Sequence, residues 1–215
     1  MVWMLLYMSN IRKQAISVIG LGYIGLPTAC FLAQSGYRVT GVDIDQKKID
    51  LLKQGKSPFD EPGLDRLFRG ARKNLSFSPV PVPADIFLVA VPTPVTAKKN
   101  IDLRMVKAAI RSIVPVLRKG SLVVLESTVA PGNTEAIVRP ILDAAGVAYD
   151  LVYCPERAFP GKTLHEMVYN DRLVGGDTQK AAVRAKKIYA TFVRGNIFIT
   201  DIITAEVVKV LENAY

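Results

Sequence analysis

Gly20, Gly22 and Gly25 stand in the spacing G-x-G-x-x-G within the stretch AISVIGLGYIGLPTACFLAQSGYRVTGVD, which closes on Asp43. That spacing suits the cradling of a pyrophosphate. The first glycine permits a tight turn, the second lets the backbone approach the phosphates, and the third allows a helix to pack closely on its strand. A helix that begins at such a turn offers free N–H groups and the positive end of its dipole to an anion. Asp43 lies about 20 residues beyond the first glycine, the separation expected of a carboxylate that accepts hydrogen bonds from a ribose. A carboxylate there repels a 2′-phosphate, so the pattern favours NAD over NADP. Lys48, one turn into the next helix, either reaches the same ribose or lies in solvent.

Other side chains with chemical potential are fewer. Lys209 and Asn213 sit four apart in EVVKVLENAY, on one face of a helix whose apolar residues are Val207, Val210, Leu211 and Ala214. As an isolated pair they read as a solvated face. The adjacent Glu156 and Arg157 of CPER read, by themselves, as a surface salt bridge. Thr93 lies between Pro92 and Pro94 in a rigid turn after a strand. Thr128 follows the strand LVVLES at the end of a sheet where open α/β folds bind ligands; Ser127 and Thr128 are equally suited to cap a helix starting near Pro131. The two cysteines, Cys30 and Cys154, form no repeated metal-ligand spacing and no disulfide framework, which places reduced thiols in a cytoplasmic protein. Cys30, on an apolar helical stretch, reads as packing. His165, in TLHEMV, lacks the second histidine that a metal-binding H-E-x-x-H helix requires, so no metal is expected.

The elements that must position these residues follow from periodicity. AISVIG, YRVTGVD, DIFLVAV, SLVVLES, YDLVYC, RLVGG and NIFIT read as strands, alternating with amphipathic stretches. That alternation predicts α/β architecture, a doubly wound, mainly parallel sheet with helices on both faces. Leu103, Val106, Ile110, Ile113 and Leu117 mark one helix with Asp102 as its cap, and TQKAAVRAKKIYATFV marks another. With 215 residues, half of them apolar, the chain can bury a sizeable core. The opening MVWMLLYM is far shorter than the roughly 20 residues a membrane span needs. Net charge is +9, densest where Arg66, Arg69 and Lys73 share a helical face. No recognisable nucleic-acid-binding module accompanies it, so that face reads as solvated rather than as a nucleic-acid surface.

Five stretches, GLGYIGLP, EPGL, AVPTP, ESTVAPG and YCPERAFPGK, follow one another in the order seen in the UDP-sugar 6-dehydrogenases, and the chain resembles that family, relatives of which act on UDP-glucose and GDP-mannose. With CPER, PG and NDRLVGG it is most similar to the branch acting on UDP-N-acetyl-D-mannosamine. The resemblance implies a Rossmann-type fold and oxidation of a sugar C6 alcohol to a carboxylate by two hydride transfers to NAD. A cysteine thiolate traps the aldehyde as a thiohemiacetal, and water hydrolyses the later thioester. It also implies cofactor contacts at Gly20, Gly22, Tyr23, Ile24, Gly25, Asp43, Lys48, Thr93 and Thr128, with Thr128 beside the reacting centre. Glu156 is expected to assist the hydrolytic water, Lys209 to stabilise the oxyanion or shuttle its proton, and Asn213 to hold a water or the substrate. Arg157 and Ala158, with Lys209 and Asn213, are expected to touch the sugar nucleotide.

One departure counts against complete catalysis. The family's nucleophilic cysteine belongs to a later glycine-rich segment with no counterpart here, and Cys154 matches no nucleophile position. The rest of a central helix that serves as a dimer interface, and a second domain that closes over UDP, are also without counterpart. The expected division is an N-terminal extension over 1–10, an NAD-binding Rossmann domain over 11–200, and the start of a central linker helix over 201–215. The first reading is therefore the NAD-binding part of such a dehydrogenase, inactive alone. The alternatives are a stand-alone nucleotide-binding module and a part of an enzyme for UDP-glucose or UDP-N-acetylglucosamine.

Overall fold

Short runs of Val, Ile and Leu, buried on both sides, form the central strands of a computed structural model that describes residues 14–96 and 100–213. The extension expected at 1–10 and the apolar Ala214 lie outside the described residues. The strands are β1 (Ala15–Ile19), β2 (Arg38–Val42), β3 (Leu75–Ser78), β4 (Ile86–Val89), β5 (Ser121–Leu125), β6 (Tyr149–Tyr153), β7 (Arg172–Gly176) and β8 (Ile197–Asp201). They form one sheet in the order β3-β2-β1-β4-β5-β6-β7-β8. Neighbours are parallel except β6 and β7, whose antiparallel register pairs Val152 with Gly176 and Tyr153 with Gly175. The first six strands follow the dinucleotide-binding order, whose direction reverses between β1 and β4 and opens a crevice at their carboxyl ends.

The seven expected strands are present, and β3 is an addition. Its sequence LSFS is short and half-buried at the sheet edge, so it carries little apolar alternation.

The helices are α1 (Gly25–Gln34), α2 (Gln46–Lys53), α3 (Leu64–Ala71), α4 (Arg104–Ile113), α5 (Arg139–Asp143), α6 (Thr163–Tyr169), α7 (Gln179–Tyr189) and α8 (Ile202–Glu212). Successive strand residues point to opposite faces. Ile86 and Leu88 join a core shared with α1, α2, α3 and α7, whereas Phe87 and Val89 join a second core shared with α4, α5 and α8. The sheet is thus covered on both sides, as the alternating pattern predicts.

Helix ends differ from expectation in small ways with local causes. The helix expected to reach Leu117 ends at Ile113 in a tight turn containing Pro115, which cannot donate to the helical ladder. Asp102 accepts a hydrogen bond from the Arg104 amide at 2.9 Å, but Leu103 occupies the N-cap position itself. Thr178 caps α7 by accepting from the Ala181 amide at 3.1 Å.

The last helix departs most from pattern. Asp201 caps α8, its carboxylate accepting from the Thr204 amide at 2.8 Å. Ile202, Ala205, Glu206 and Lys209 then face the sheet, while Ile203, Val207, Val210 and Leu211 face outward. The polar pair of residues is buried and the apolar row is exposed. Close packing on the sheet is possible because Gly175 has no side chain: a Cβ there would lie 2.8 Å from that of Ala205.

Candidate cofactor and catalytic site

The G-x-G-x-x-G turn leaves β1 and enters α1 at the crevice. Gly20 adopts φ +93°, a conformation that favours glycine, and a Cβ on it would stand 2.6 Å from the carbonyl oxygen of Ala90. A Cβ on Gly25 would collide with the Gly20 carbonyl, so this residue brings helix and strand together. Nothing lies within 4 Å of a Cβ built on Gly22. The middle glycine therefore keeps an approach to the backbone open. Ile24 at the N-cap of α1 supplies no capping oxygen, and no acidic residue occupies the first turn. The shape and donor chemistry of this turn fit a dinucleotide.

Asp43 directly follows β2, beside the turn. One carboxylate oxygen accepts from the Leu21 amide at 2.9 Å and from the Lys48 ammonium at 2.6 Å; the other accepts from the Asp45 amide at 3.0 Å. Burial pushes the carboxyl up, but the Lys48 hydrogen bond and the two backbone donors outweigh it, and its pKa lies below the usual value. Lys48 is thus a partner of Asp43 rather than a solvated side chain. Ile44, beside this carboxylate, is 96 % exposed, an apolar surface that the sequence reading overlooked. Tyr23 is half-exposed, and its ring lies 4.4 Å from that of Phe59. Phe59 also lines a recess of about 550 Å³ with Lys56, Asp60 and Arg69.

The loops after β4 and β5 lie on adjacent strands at the same end of the sheet. Ser127 fastens them together: its hydroxyl accepts from the Val91 amide at 2.9 Å and contacts the Val91 carbonyl at 2.8 Å. This joins the turn bearing the half-buried Thr93 to the half-buried Thr128. Ser127 and Thr128 do not cap the following helical segment, contrary to the alternative drawn from sequence. Glu206 fills that role, accepting from the Gly132 and Thr134 amides at 2.6 and 2.9 Å.

Glu156 does not form the expected surface salt bridge with its neighbour. Its carboxylate pairs with buried Arg172 at the start of β7, while Arg157 pairs with Glu212 of α8 and bonds the Asp171 carbonyl. Within the pair, the Arg157 backbone amide donates to the Glu156 carboxylate at 2.7 Å. The Arg172 guanidinium lies 4.5 Å from the Tyr189 ring centroid and 4.0 Å from Glu126. Tyr189 donates to Glu126 at 2.6 Å. Burial dominates Glu126 and raises its pKa to about 7, despite the opposing effects of Arg172 and Tyr189. Arg172 and Glu126 escaped sequence reasoning; the available signal was an arginine opening an otherwise apolar strand in NDRLVGG.

Lys209 is only 7 % exposed, which overturns the solvated-face reading of K-x-x-x-N for the lysine. Burial depresses its pKa, and nearby Arg157 adds to this, while Glu212 and Glu156 oppose it. Lys209 therefore shares the electrostatic environment of the CPER segment. Asn213 is exposed in the turn after α8, and the half-buried Ala158 follows Arg157. His165 is exposed as expected and stacks near Tyr169 at 4.7 Å. Cys30 and Cys154 are free and buried, and burial pushes both thiols up to about 12.

Comparison with known proteins decides the family. The model for the UDP-glucose/GDP-mannose dehydrogenase family, NAD binding domain, matches residues 14–193. The chain belongs to that family. Its cofactor is NAD. The UDP-N-acetyl-D-mannosamine dehydrogenase of Methanococcus aeolicus is 47 % identical over 205 residues, covering 93 % of this chain and 47 % of the relative. The NDP-N-acetyl-D-galactosaminuronic acid dehydrogenase of Ralstonia nicotianae is 46 % identical, covering 96 % of this chain and 52 % of its own length. Among solved structures, the UDP-N-acetyl-mannosamine dehydrogenase Cap5O from Staphylococcus aureus superposes with a TM-score of 0.89 at 41 % identity, over 94 % of this chain and 51 % of that one. This member of the UDP-glucose/GDP-mannose dehydrogenase family spans about half the length of the curated relatives it matches. No helix among the described residues is long and apolar enough to cross a membrane.

Proposed function

We propose that the chain is the NAD-binding part of a cytoplasmic UDP-N-acetyl-D-mannosamine 6-dehydrogenase and does not complete the reaction alone. Bound NAD would accept the hydride. Gly20, Gly22, Tyr23, Ile24 and Gly25 would hold its diphosphate, Asp43 its ribose with Lys48 as counter-ion, and Thr93 and Thr128 its nicotinamide end. The observation that carries the reading is Lys209, a lysine buried beside the Glu156–Arg157 segment with its pKa depressed. A solvated helix has no use for that arrangement. An ammonium poised there can stabilise an oxyanion or pass its proton, and Glu156 can take a proton from water. Arg157, Ala158 and Asn213 would contact the sugar nucleotide. The thioester route requires an accessible thiolate, and the chain's two cysteines are both buried with raised pKa values. The nucleophile and the UDP-binding domain would therefore come from a further polypeptide segment, in an enzyme expected to work as a homodimer for polysaccharide biosynthesis.

Titration with NADH and NADPH by calorimetry tests this directly. Saturable NADH binding, much weaker NADPH binding, and a strong loss of NADH affinity on Asp43→Ala are expected; binding of neither would overturn the cofactor assignment. UDP-glucose, UDP-N-acetylglucosamine and N-acetylgalactosamine-type substrates are alternatives within the same chemistry, the last supported by the Ralstonia relative. A stand-alone, non-catalytic nucleotide-binding module is the second reading, favoured by the exposed row Ile203, Val207, Val210 and Leu211 as an association surface. Reassembly with a complementary carboxyl-terminal polypeptide would separate the two, because only the first reading requires it.

A further inference from the structure

Two turns of the chain share the sequence Pro-Gly-x-Thr, PGNT at 131–134 and PGKT at 160–163. Their glycines take nearly the same left-handed conformation, φ +85° at Gly132 and +87° at Gly161. Each turn is gripped by one buried glutamate distant in sequence. Glu206 accepts from the Gly132 amide at 2.6 Å through Oε2 and from the Thr134 amide at 2.9 Å through Oε1. Glu61 accepts from the Gly161 and Thr163 amides, both at 2.8 Å, through the same two oxygens in the same order. Glu206 is fully buried and Glu61 is 4 % exposed. The same device therefore occurs twice, at the ends of the two loops that matter for the proposed chemistry. The first loop carries Thr128. The second carries Glu156, Arg157 and Ala158.

The far ends of the grips are as informative. Glu206 lies on α8 one turn before Lys209, so its grip ties the helix bearing Lys209 to the loop bearing Thr128. Glu61 lies two residues beyond Phe59, whose ring is 4.4 Å from that of Tyr23 in the phosphate turn. Its grip ties the cofactor half of the fold to the segment expected to meet the sugar. We propose that Glu61 and Glu206 are a matched pair of positioning residues, each holding one catalytic loop by accepting two backbone N–H groups across the crevice region. This deepens, and its functional arm rests on, the NAD-dependent dehydrogenase reading.

A carboxylate is required because both partners are donors. Glutamine has the same shape, but its amide nitrogen would face one of the two N–H groups, donor against donor. Hydrogen exchange of the four amides by NMR, with NADH calorimetry alongside, reads the consequence. In the wild type all four amides exchange at least roughly a hundredfold more slowly than unstructured peptide; exchange at peptide rates would overturn the proposal. In Glu206→Gln the Gly132 and Thr134 amides accelerate by roughly tenfold or more while Gly161 and Thr163 hold, and NADH binding weakens about fivefold through the Thr128 loop. In Glu61→Gln the acceleration is confined to Gly161 and Thr163, and NADH affinity stays within about twofold. Equal acceleration at both turns in either variant, or NADH affinity unchanged in Glu206→Gln, would reduce the glutamates to general structural caps. Should a variant fail to fold, the wild-type exchange still decides. Absence of NADH binding by the wild type would overturn the cofactor reading, while the exchange pattern would continue to judge the grips.

Discussion

Asp43 already holds three donors, the Leu21 and Asp45 amides and the Lys48 ammonium, so its carboxylate is fixed in position before a ribose arrives. Removing it in Asp43→Ala should weaken NADH binding by roughly tenfold or more, since a hydrogen bond to a charged group contributes about 1.5–3 kcal/mol, and calorimetry would show it. Its folded pKa is lowered, so its contribution to stability is present above the ordinary carboxylate range and is lost as pH falls through the folded value. Glu126 behaves oppositely. Its pKa rises from 4.5 to about 7, so between those values the folded state holds a proton that the unfolded state has released. Stability should therefore fall as pH rises across that window and level off above it. Glu126→Gln should match the wild type near the bottom of the window and exceed it above the top by about 1–3 kcal/mol, measured by urea denaturation at a series of pH values. Of these residues, Asp43 was legible from spacing alone. Glu126, Arg172, Glu61 and Glu206 were not, because each takes its partners from segments far along the chain.

At the scale of elements, α8 reverses the usual arrangement, with Lys209 and Glu206 inward and Val207, Val210 and Leu211 outward. Helical periodicity was plain in the sequence. It defines two faces but not which one meets the sheet, and the apolar face is the wrong guess here. The inward lysine is disfavoured by burial, which lowers its pKa, so the folded state resists carrying its charge. Stability should rise with pH as the folded pKa is passed, and Lys209→Met should raise the melting temperature of the chain at neutral pH, while abolishing turnover in a complete enzyme. A drop in melting temperature would show that the ammonium's partners outweigh its desolvation. Leu211→Gln on the outer row should change stability by no more than about 0.5 kcal/mol. In α4, by contrast, apolar spacing identified the inward face correctly, and Ile110→Ala should cost about 2–5 kcal/mol in denaturant unfolding. The missed strand β3 and the antiparallel β7 share a cause: strand order and direction depend on long-range pairing, which short apolar runs do not encode.

The whole molecule divides its tasks by the ends of its sheet. The phosphate turn, Asp43, Thr93, Thr128, the CPER segment and the buried Lys209 all belong to the connections at one edge or to the helix packed against them, which is where an open α/β sheet binds ligands. On the proposed reading, oxyanion stabilisation and water activation would come from this chain, and hydride acceptance from the NAD that it holds. Covalent capture of an aldehyde would not, on that reading, because Cys30 and Cys154 are buried and burial pushes both thiols up to about 12. This separation makes a sharp expectation for the purified chain. Supplied with NAD and UDP-N-acetyl-D-mannosamine, it should bind the cofactor yet give no sustained NADH in a continuous absorbance assay, and Cys154→Ser should leave that null result unchanged. Steady NADH production by the wild type, lost in Cys154→Ser, would mean that the β6 end opens far enough to expose a nucleophile, and the proposed need for a second segment would fall. Steady production that survives replacement of both cysteines would instead point to an oxidation without covalent capture, stopping at the aldehyde, which a carbonyl-trapping reagent would reveal.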